Sequence, residues 1–286
     1  MEKETNKPIR LIAFDLDGTL LDSQKKLSEE NRRALADAAA AGIVLVPTTG
    51  RLATAMTPAV GDLAFLRYVI AINGAEITDR AAGTCLARAN IPVEQAVAAM
   101  RKFDAQPALY DCYMDGRGWM NAAHYARIDE IVQTEEQRTW FRTLRSPVPD
   151  LKAFLLAQGR PVQKMQLFYH TAQEKEAAFA QVQAELPGLT VTSSWPQNIE
   201  VNSREANKGA ALGRLCAHLG IPLAQTMALG DGTNDITMLR AAGLGVAMAN
   251  ADPLTLAAAD AVTASCDENG AARAIRRWAL GEPEQG

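Results

Sequence analysis

The sequence predicts an α/β protein with a doubly wound parallel-sheet core, interrupted by a long insert of different pattern. Three observations carry that expectation. Short apolar strands alternate with helices over residues 8–83, the alternation returns after Ala206, and the stretch from about 84 to 203 places strands next to strands instead. Alternating strands and helices imply a parallel sheet covered on both faces. Ligands of such sheets bind beyond the carboxyl ends of the strands.

Taken in order, the first segment reads as a strand at 9–14, a helix at 29–41 ended by Gly42, a strand at 43–46, a helix at 53–60 and a strand at 68–72. Ser28 stands before Glu29 and Glu30, a helix cap followed by acids in the first turn. The insert offers a helix at 93–103, strands at 108–114 and 119–121, and a mostly helical run at 130–144. A strand at 163–169, a helix at 173–186 and strands at 190–194 and 199–202 complete it. Adjacent strand pairs predict an antiparallel sheet with helices on one face, and two helix–strand–strand units suggest internal repetition. The last segment gives a helix at 210–219, a strand at 227–229, a helical run at 236–242 and a strand at 245–248, with a frayed tail at 282–286.

The chemistry-bearing residues gather at the predicted strand ends. Phe14-Asp15-Leu16-Asp17-Gly18-Thr19-Leu20 closes the first strand. Side chains two apart on a strand project to one side, so Asp15 and Asp17 are expected to face one small space. Two carboxylates about 4 Å apart repel by roughly 4 kcal/mol at an effective dielectric near 20. A hard divalent cation such as Mg²⁺ offsets that repulsion. Gly230-Asp231-Gly232-Thr233-Asn234-Asp235 repeats the grammar, and Asp231 and Asp235 add hard oxygen ligands. Asp235 also reads as a simple helix cap. The strand at 43–46 leads into Thr49-Gly50-Arg51, whose hydroxyl and guanidinium suit a phosphate grip. Lys208 lies in Asn207-Lys208-Gly209 before a helix, where a phosphate could meet the helix N-terminus. Singly, the last two are an ordinary turn and a solvated lysine; their weight comes from the company they keep.

With these residues in view, the chain resembles the haloacid dehalogenase superfamily, and within it the Cof-type phosphatases. The four matching motifs are DLDGT at 15–19, TGR at 49–51, NKG at 207–209 and GDGTND at 230–235. Asn73-Gly74-Ala75, the run 245–251 and the run 258–263 match further elements of that subgroup. The resemblance implies a Rossmann-like core formed by residues 1–83 and 204–286, with an inserted α/β cap domain at 84–203 that sets substrate choice.

The resemblance also assigns roles. Asp15 would attack phosphorus to give an aspartyl-phosphate, and Asp17 would act as acid and then base. Mg²⁺ would be held by the Asp15 side chain, the Asp17 main-chain carbonyl and the Asp231 side chain, with Asp235 holding a metal-bound water. Thr49, Lys208 and Asn234 would grip the phosphoryl group, beside Gly50. Arg51, Asn73 and Gly74 would lie towards the substrate and the cap. The expected activity is Mg²⁺-dependent hydrolysis of a small phosphate ester, a sugar phosphate or a phosphorylated cofactor. The rivals are a phosphomutase of the phosphomannomutase type and a catalytically silent phospholigand-binding module.

Composition sets the remaining expectations. The chain has 286 residues, 48% of them hydrophobic, enough for a sizeable core in one or two domains. A net charge of −4 gives no footprint for nucleic acid. Four scattered cysteines, Cys85, Cys112, Cys216 and Cys266, form no CxxC pair and fit a reducing compartment. The polar amino terminus is no signal-peptide core, and no apolar run approaches the ~20 residues of a membrane helix. A cytoplasmic enzyme is therefore expected. Of the three histidines, His124, His170 and His218, none neighbours a motif. Tyr110, Asp111, Tyr113, Asp115 and Trp119 form a polar–aromatic cluster that reads either as leaving-group contacts or as a half-buried strand and its turn.

Overall fold

The computed structural model describes residues 8–132 and 134–282, so the end of the expected frayed tail lies outside the described residues. The chain divides into two compact units, Met1–Arg88 with Asn207–Gly286, and Ala89–Ala206. The boundary lies beyond the expected 83/84 because a hairpin extends the first segment.

Numbered along the chain, the first segment carries strands β1 (Leu11–Phe14), β2 (Val44–Pro47), β3 (Tyr68–Ala71), β4 (Glu76–Asp79) and β5 (Thr84–Arg88). Unit Ala89–Ala206 carries β6 (Leu109–Met114), β7 (Arg117–Asn121), β8 (Arg145–Val148), β9 (Lys164–Phe168), β10 (Leu189–Thr192) and β11 (Asn198–Ser203). The last segment supplies β12 (Thr226–Gly230), β13 (Leu244–Ala247) and β14 (Ala261–Val262).

The first unit is built on a parallel sheet in the order β14-β13-β12-β1-β2, with Phe14 level with Leu229 and Pro47. That register brings the turns after β1, β2 and β12 to one end of the sheet. Ile12, Phe14, Leu45, Leu229 and Val246 face one apolar cluster, while Leu11, Ala13, Val46 and Ala228 face another. Burial on both faces is why these strands read as continuous apolar runs. A parallel bridge between Thr48 and Ile70 joins β2 to the antiparallel sheet β3-β4-β5. Helix Glu29–Ala40 starts at Ser28, whose hydroxyl accepts from Asn31 N–H at 3.1 Å, and Gly42 turns away at φ 81°. The expected helix at 53–60 is instead a 3₁₀ turn, Ala53–Ala55, and one short helix, Pro58–Gly61. Pro58 explains the break, because the residue before a proline is driven extended, and Thr57 sits at ψ 140°.

The second unit contains a six-stranded sheet, β10-β11-β9-β6-β7-β8. All pairs are antiparallel except β7 with β8, which run parallel. Tyr110, Cys112 and Met114 pack with helices Val93–Phe103 and Leu151–Gln158 on one face. On the other, Leu109 and Phe168 pack with Ile128 and Phe141. Helical segments thus cover both faces, not one, because the 3₁₀ turn Ile128–Glu130 and helix Glu135–Thr143 pack on the second face. Strand alternation also splits the expected polar–aromatic cluster. Tyr110 points to the face of helices Val93–Phe103 and Leu151–Gln158, and Asp111 pairs with Arg145 in the buried interior. Trp119 stacks on Phe154, and Asp115 sits in the turn with Arg160. His124 packs edge-on against Tyr110, with ring centroids 4.7 Å apart.

Candidate active site

Four residues from three separate turns converge beyond the carboxyl ends of β1 and β12. Asp15 follows β1, Asp231 and Asp235 follow β12, and Lys208 is the first residue of helix Lys208–Leu219. Lys208 Nζ donates to Asp15 Oδ1 at 2.5 Å and to Asp235 Oδ1 at 2.6 Å. A helix N-terminus disfavours a cation, and Lys208 is fully buried as well. Two carboxylates at hydrogen-bond distance offset both costs. Asn207 caps that helix, its Oδ1 accepting from Ala210 N–H at 2.8 Å. Gly209 is required beside it, since a Cβ there would lie 2.2 Å from the Thr237 carbonyl oxygen.

Asp235 closes its own turn, the capping role the sequence allowed, and also pairs with Lys208. Its Oδ2 accepts from the N–H groups of Asp231 and Gly232, each at 3.0 Å, while Oδ1 takes the Lys208 ammonium. Thr19 Oγ1 donates to Asp231 Oδ1 at 2.7 Å. Gly18 lies at φ 84°, and a Cβ on it would fall 2.4 Å from Asp231 Oδ2. Both the turn and the approach of Asp231 therefore need glycine.

Carboxylate oxygens of Asp15, Asp231 and Asp235 lie within 4.8 Å of one another. Burial and the Asp235 and Asp231 charges push the Asp15 carboxyl up to about 8, against the pull of Lys208. Burial and Asp235 push Asp231 up to about 6, opposed by the Thr19 hydrogen bond. Burial works to lower Lys208, yet Asp15 and Asp235 outweigh it and hold the ammonium charged. One ammonium cannot neutralise three carboxylates, so the cluster is short of positive charge. A hard oxygen donor set with surplus negative charge fits a divalent cation such as Mg²⁺.

Asp15 and Asp17 are held by different partners. Lys208 takes Asp15. The Asp17 carboxylate instead takes Arg51 Nε at 2.8 Å, Arg51 Nη2 at 2.5 Å and Lys25 Nζ at 3.0 Å. Burial alone would raise Asp17, but Arg51 and Lys25 overcome it and hold the carboxyl below its ordinary range.

A third group joins the TGR turn to GDGTND. Asn73 N–H donates to Thr49 O at 3.0 Å, and Asn73 Oδ1 accepts from Asn234 Nδ2 at 3.2 Å. A Cβ on Gly50 would lie 3.0 Å from that same Asn73 oxygen. Thr49 Oγ1 accepts from Arg51 N–H at 3.1 Å. Ile72 and Asn73 both take positive φ, 54° and 55°, and a β-branched residue there is strained. Gly74 follows at φ 93°, with no room for a Cβ against the Asn207 carbonyl. Sequence reasoning missed Thr19 and Lys25. Thr19 stood inside a motif already singled out, whereas nothing local distinguishes Lys25 from a solvated lysine.

A parallel sheet whose strand ends carry a carboxylate–lysine cluster beside an arginine-bearing turn defines an α/β enzyme of the acidic, phosphate-handling kind. The family description that matches residues 12–275 is haloacid dehalogenase-like hydrolase, and the chain belongs to that family. It is 31% identical over 273 residues to the Bacillus subtilis 5-amino-6-(5-phospho-D-ribitylamino)uracil phosphatase YcsE, covering 95% of this chain and 96% of that protein. It is 33% identical over 257 residues to the Escherichia coli pyridoxal phosphate phosphatase YbhA, covering 88% and 92% of the two chains. Among solved structures, a haloacid dehalogenase-like hydrolase from B. subtilis superposes with a TM-score of 0.81 at 30% identity, over 94% of this chain and 99% of that one.

Proposed function

We propose that this protein hydrolyses small phosphate monoesters with Mg²⁺, through an aspartyl-phosphate on Asp15. The observation that carries the reading is the Lys208 ammonium bridging Asp15 and Asp235 beside Asp231. Asp15, Asp231 and the Asp17 main-chain carbonyl would hold the cation, with Asp235 next to it. When bound, Mg²⁺ supplies positive potential that lets a carboxylate approach a phosphate dianion.

The remaining steps belong to the chain. An Asp15 carboxylate oxygen forms the new bond to phosphorus as the ester P–O bond breaks. Lys208, Thr49 and Asn234 hold the phosphoryl oxygens and offset the charge that develops on them. Asp17 protonates the departing oxygen, then takes a proton from the water that attacks the acyl phosphate, returning Asp15. The names of YcsE and YbhA support phosphatase chemistry over a mutase, and support a phosphorylated heterocyclic or cofactor-like metabolite as substrate class. No helix among the described residues is long and apolar enough to cross a membrane. The four free cysteines fit a cytoplasmic location.

A panel of phosphorylated metabolites, assayed for phosphate release with and without Mg²⁺, tests the reading. Release should require the metal, and rapid acid quenching should trap phosphate on Asp15. Isomerisation of hexose 1-phosphates without net release would replace the phosphatase with a mutase.

A further inference from the structure

The segment after β13 is hydrogen-bonded to both carboxylate-bearing turns, although no step above uses it. Met248 N–H donates to Gly230 O at 3.0 Å and Asp252 N–H to Asp231 O at 3.2 Å. Between them, Asn250 Nδ2 donates to Gly18 O at 2.9 Å while Asn250 Oδ1 accepts from Cys266 N–H at 2.8 Å. The two turns touch each other where Thr19 Oγ1 meets Asp231 and where Gly18 leaves space for its carboxylate.

We propose that Asn250 is a positioning residue that sets the spacing between the Asp15–Asp17 turn and Asp231, and thereby tightens divalent-cation binding. The inference rests on the magnesium reading above. Both ends of the Asn250 carboxamide are engaged, which fixes its orientation and makes it a strut between Gly18 and Cys266. Asp267 Oδ1 accepts from Ser23 N–H at 2.9 Å, so the segment around Cys266 also holds the next turn along the chain, at 22–26. Backbone hydrogen bonds tie this segment to the Asp231 turn. The Gly18 carbonyl is tied by the Asn250 side chain, whose loss leaves that turn freer to drift from Asp231. Cation sites tolerate little such drift before affinity falls. Asn250 is exposed, so its removal empties no core space.

The test is Mg²⁺ titration calorimetry on the full chain at raised salt, which screens a surface charge change. Asn250→Ala removes both hydrogen bonds. Asn250→Asp keeps an acceptor for Cys266 N–H but has no donor for Gly18 O. Both should weaken Mg²⁺ binding roughly tenfold, the worth of about one hydrogen bond, with the metal-free thermal midpoint shifted by less than about 4 °C. Wild-type Mg²⁺ affinity in either variant would overturn the inference. So would a larger fall in the metal-free midpoint, which would reassign Asn250 to holding the fold. Absence of Mg²⁺ binding by the wild type overturns the magnesium reading itself, and this inference with it.

Discussion

Arg51 holds Asp17 by two hydrogen bonds, Nε to Oδ2 at 2.8 Å and Nη2 to Oδ1 at 2.5 Å. Lys25 adds a second cation on Oδ1. This clamp keeps Asp17 ionised, the form a general base needs, and works against proton donation to a leaving group. Arg51 must release Asp17 before Asp17 can act as an acid. Arg51→Met should therefore raise KM about tenfold or more through loss of a charge-assisted phosphate contact. It should spare kcat for alkyl phosphates relative to p-nitrophenyl phosphate, because an alkoxide needs the proton and a nitrophenolate does not. Equal loss of kcat on both esters would show that the clamp does not limit the acid step.

The core strands were legible because burial on both faces leaves unbroken apolar runs, each ending in a Gly- or hydroxyl-rich turn. The hairpin of β4 and β5 was not. Glu76, Thr78 and Thr84 put polar residues into half-exposed strands, and one of the two inward positions of β4 is the charged Asp79. Strand β8 was hidden by Pro147, which is tolerated because β8 is an edge of its sheet. Pro58 marks the break at 53–60 in the sequence itself. The motifs marked the residue types of the site, but not which cations hold Asp15 and Asp17. Their partners, Lys208 and Arg51, are distant in sequence, and such pairings leave no local signal.

Asp15 and Asp231 give the metal-free protein a pH dependence of definite sign. Their folded-state values, about 8 and about 6, lie above the ordinary 3.8. A raised carboxyl binds its proton more tightly when folded. Its contribution to stability is complete below the ordinary value and is lost as pH rises through the folded one. Metal-free protein should therefore lose stability between about pH 4 and pH 8 from this source. Lys208 is raised as well, and its stabilisation stays intact throughout that window. Mg²⁺ bound at Asp15 and Asp231 would displace their protons, so the rise in thermal midpoint with Mg²⁺ should grow from pH 5 to pH 8. Melting curves at several pH values, with Mg²⁺ or a chelator, check this; a pH-independent increment would mean the cation does not bind these carboxylates.

Asp15→Asn replaces the nucleophile with a near-isosteric amide. Turnover should fall to under about one-hundredth of wild type, since the covalent route is closed, while Lys208 keeps Asp235 as its partner. Asp17→Asn should also be severely slowed yet should keep most of its Mg²⁺ affinity, because its expected ligand is a main-chain carbonyl. Asp231→Asn should lose far more affinity. Calorimetry on the purified variants separates these outcomes, and equal losses for Asp17→Asn and Asp231→Asn would refute the division of roles.

Helix Lys208–Leu219 approaches Thr237 through a contact that admits no side chain. A Cβ on Gly209 would lie 2.2 Å from the Thr237 carbonyl oxygen and 2.6 Å from its carbon. Both neighbours are backbone, so no rotamer change relieves the clash, and overpacking of this kind costs about 1–3 kcal/mol. Gly209→Ala must push the helix outward, carrying Lys208 away from Asp15 and Asp235. The variant should show a lowered thermal midpoint and a kcat loss larger than its KM change, because in the proposed mechanism Lys208 acts on charge that develops in the transition state. Gly213→Ala, four residues on in the same helix with open space around it, is the control. Its greater helix propensity should leave stability unchanged or slightly raised. Wild-type kinetics for Gly209→Ala would show that the site tolerates a displaced Lys208, and would remove that lysine from the phosphoryl grip.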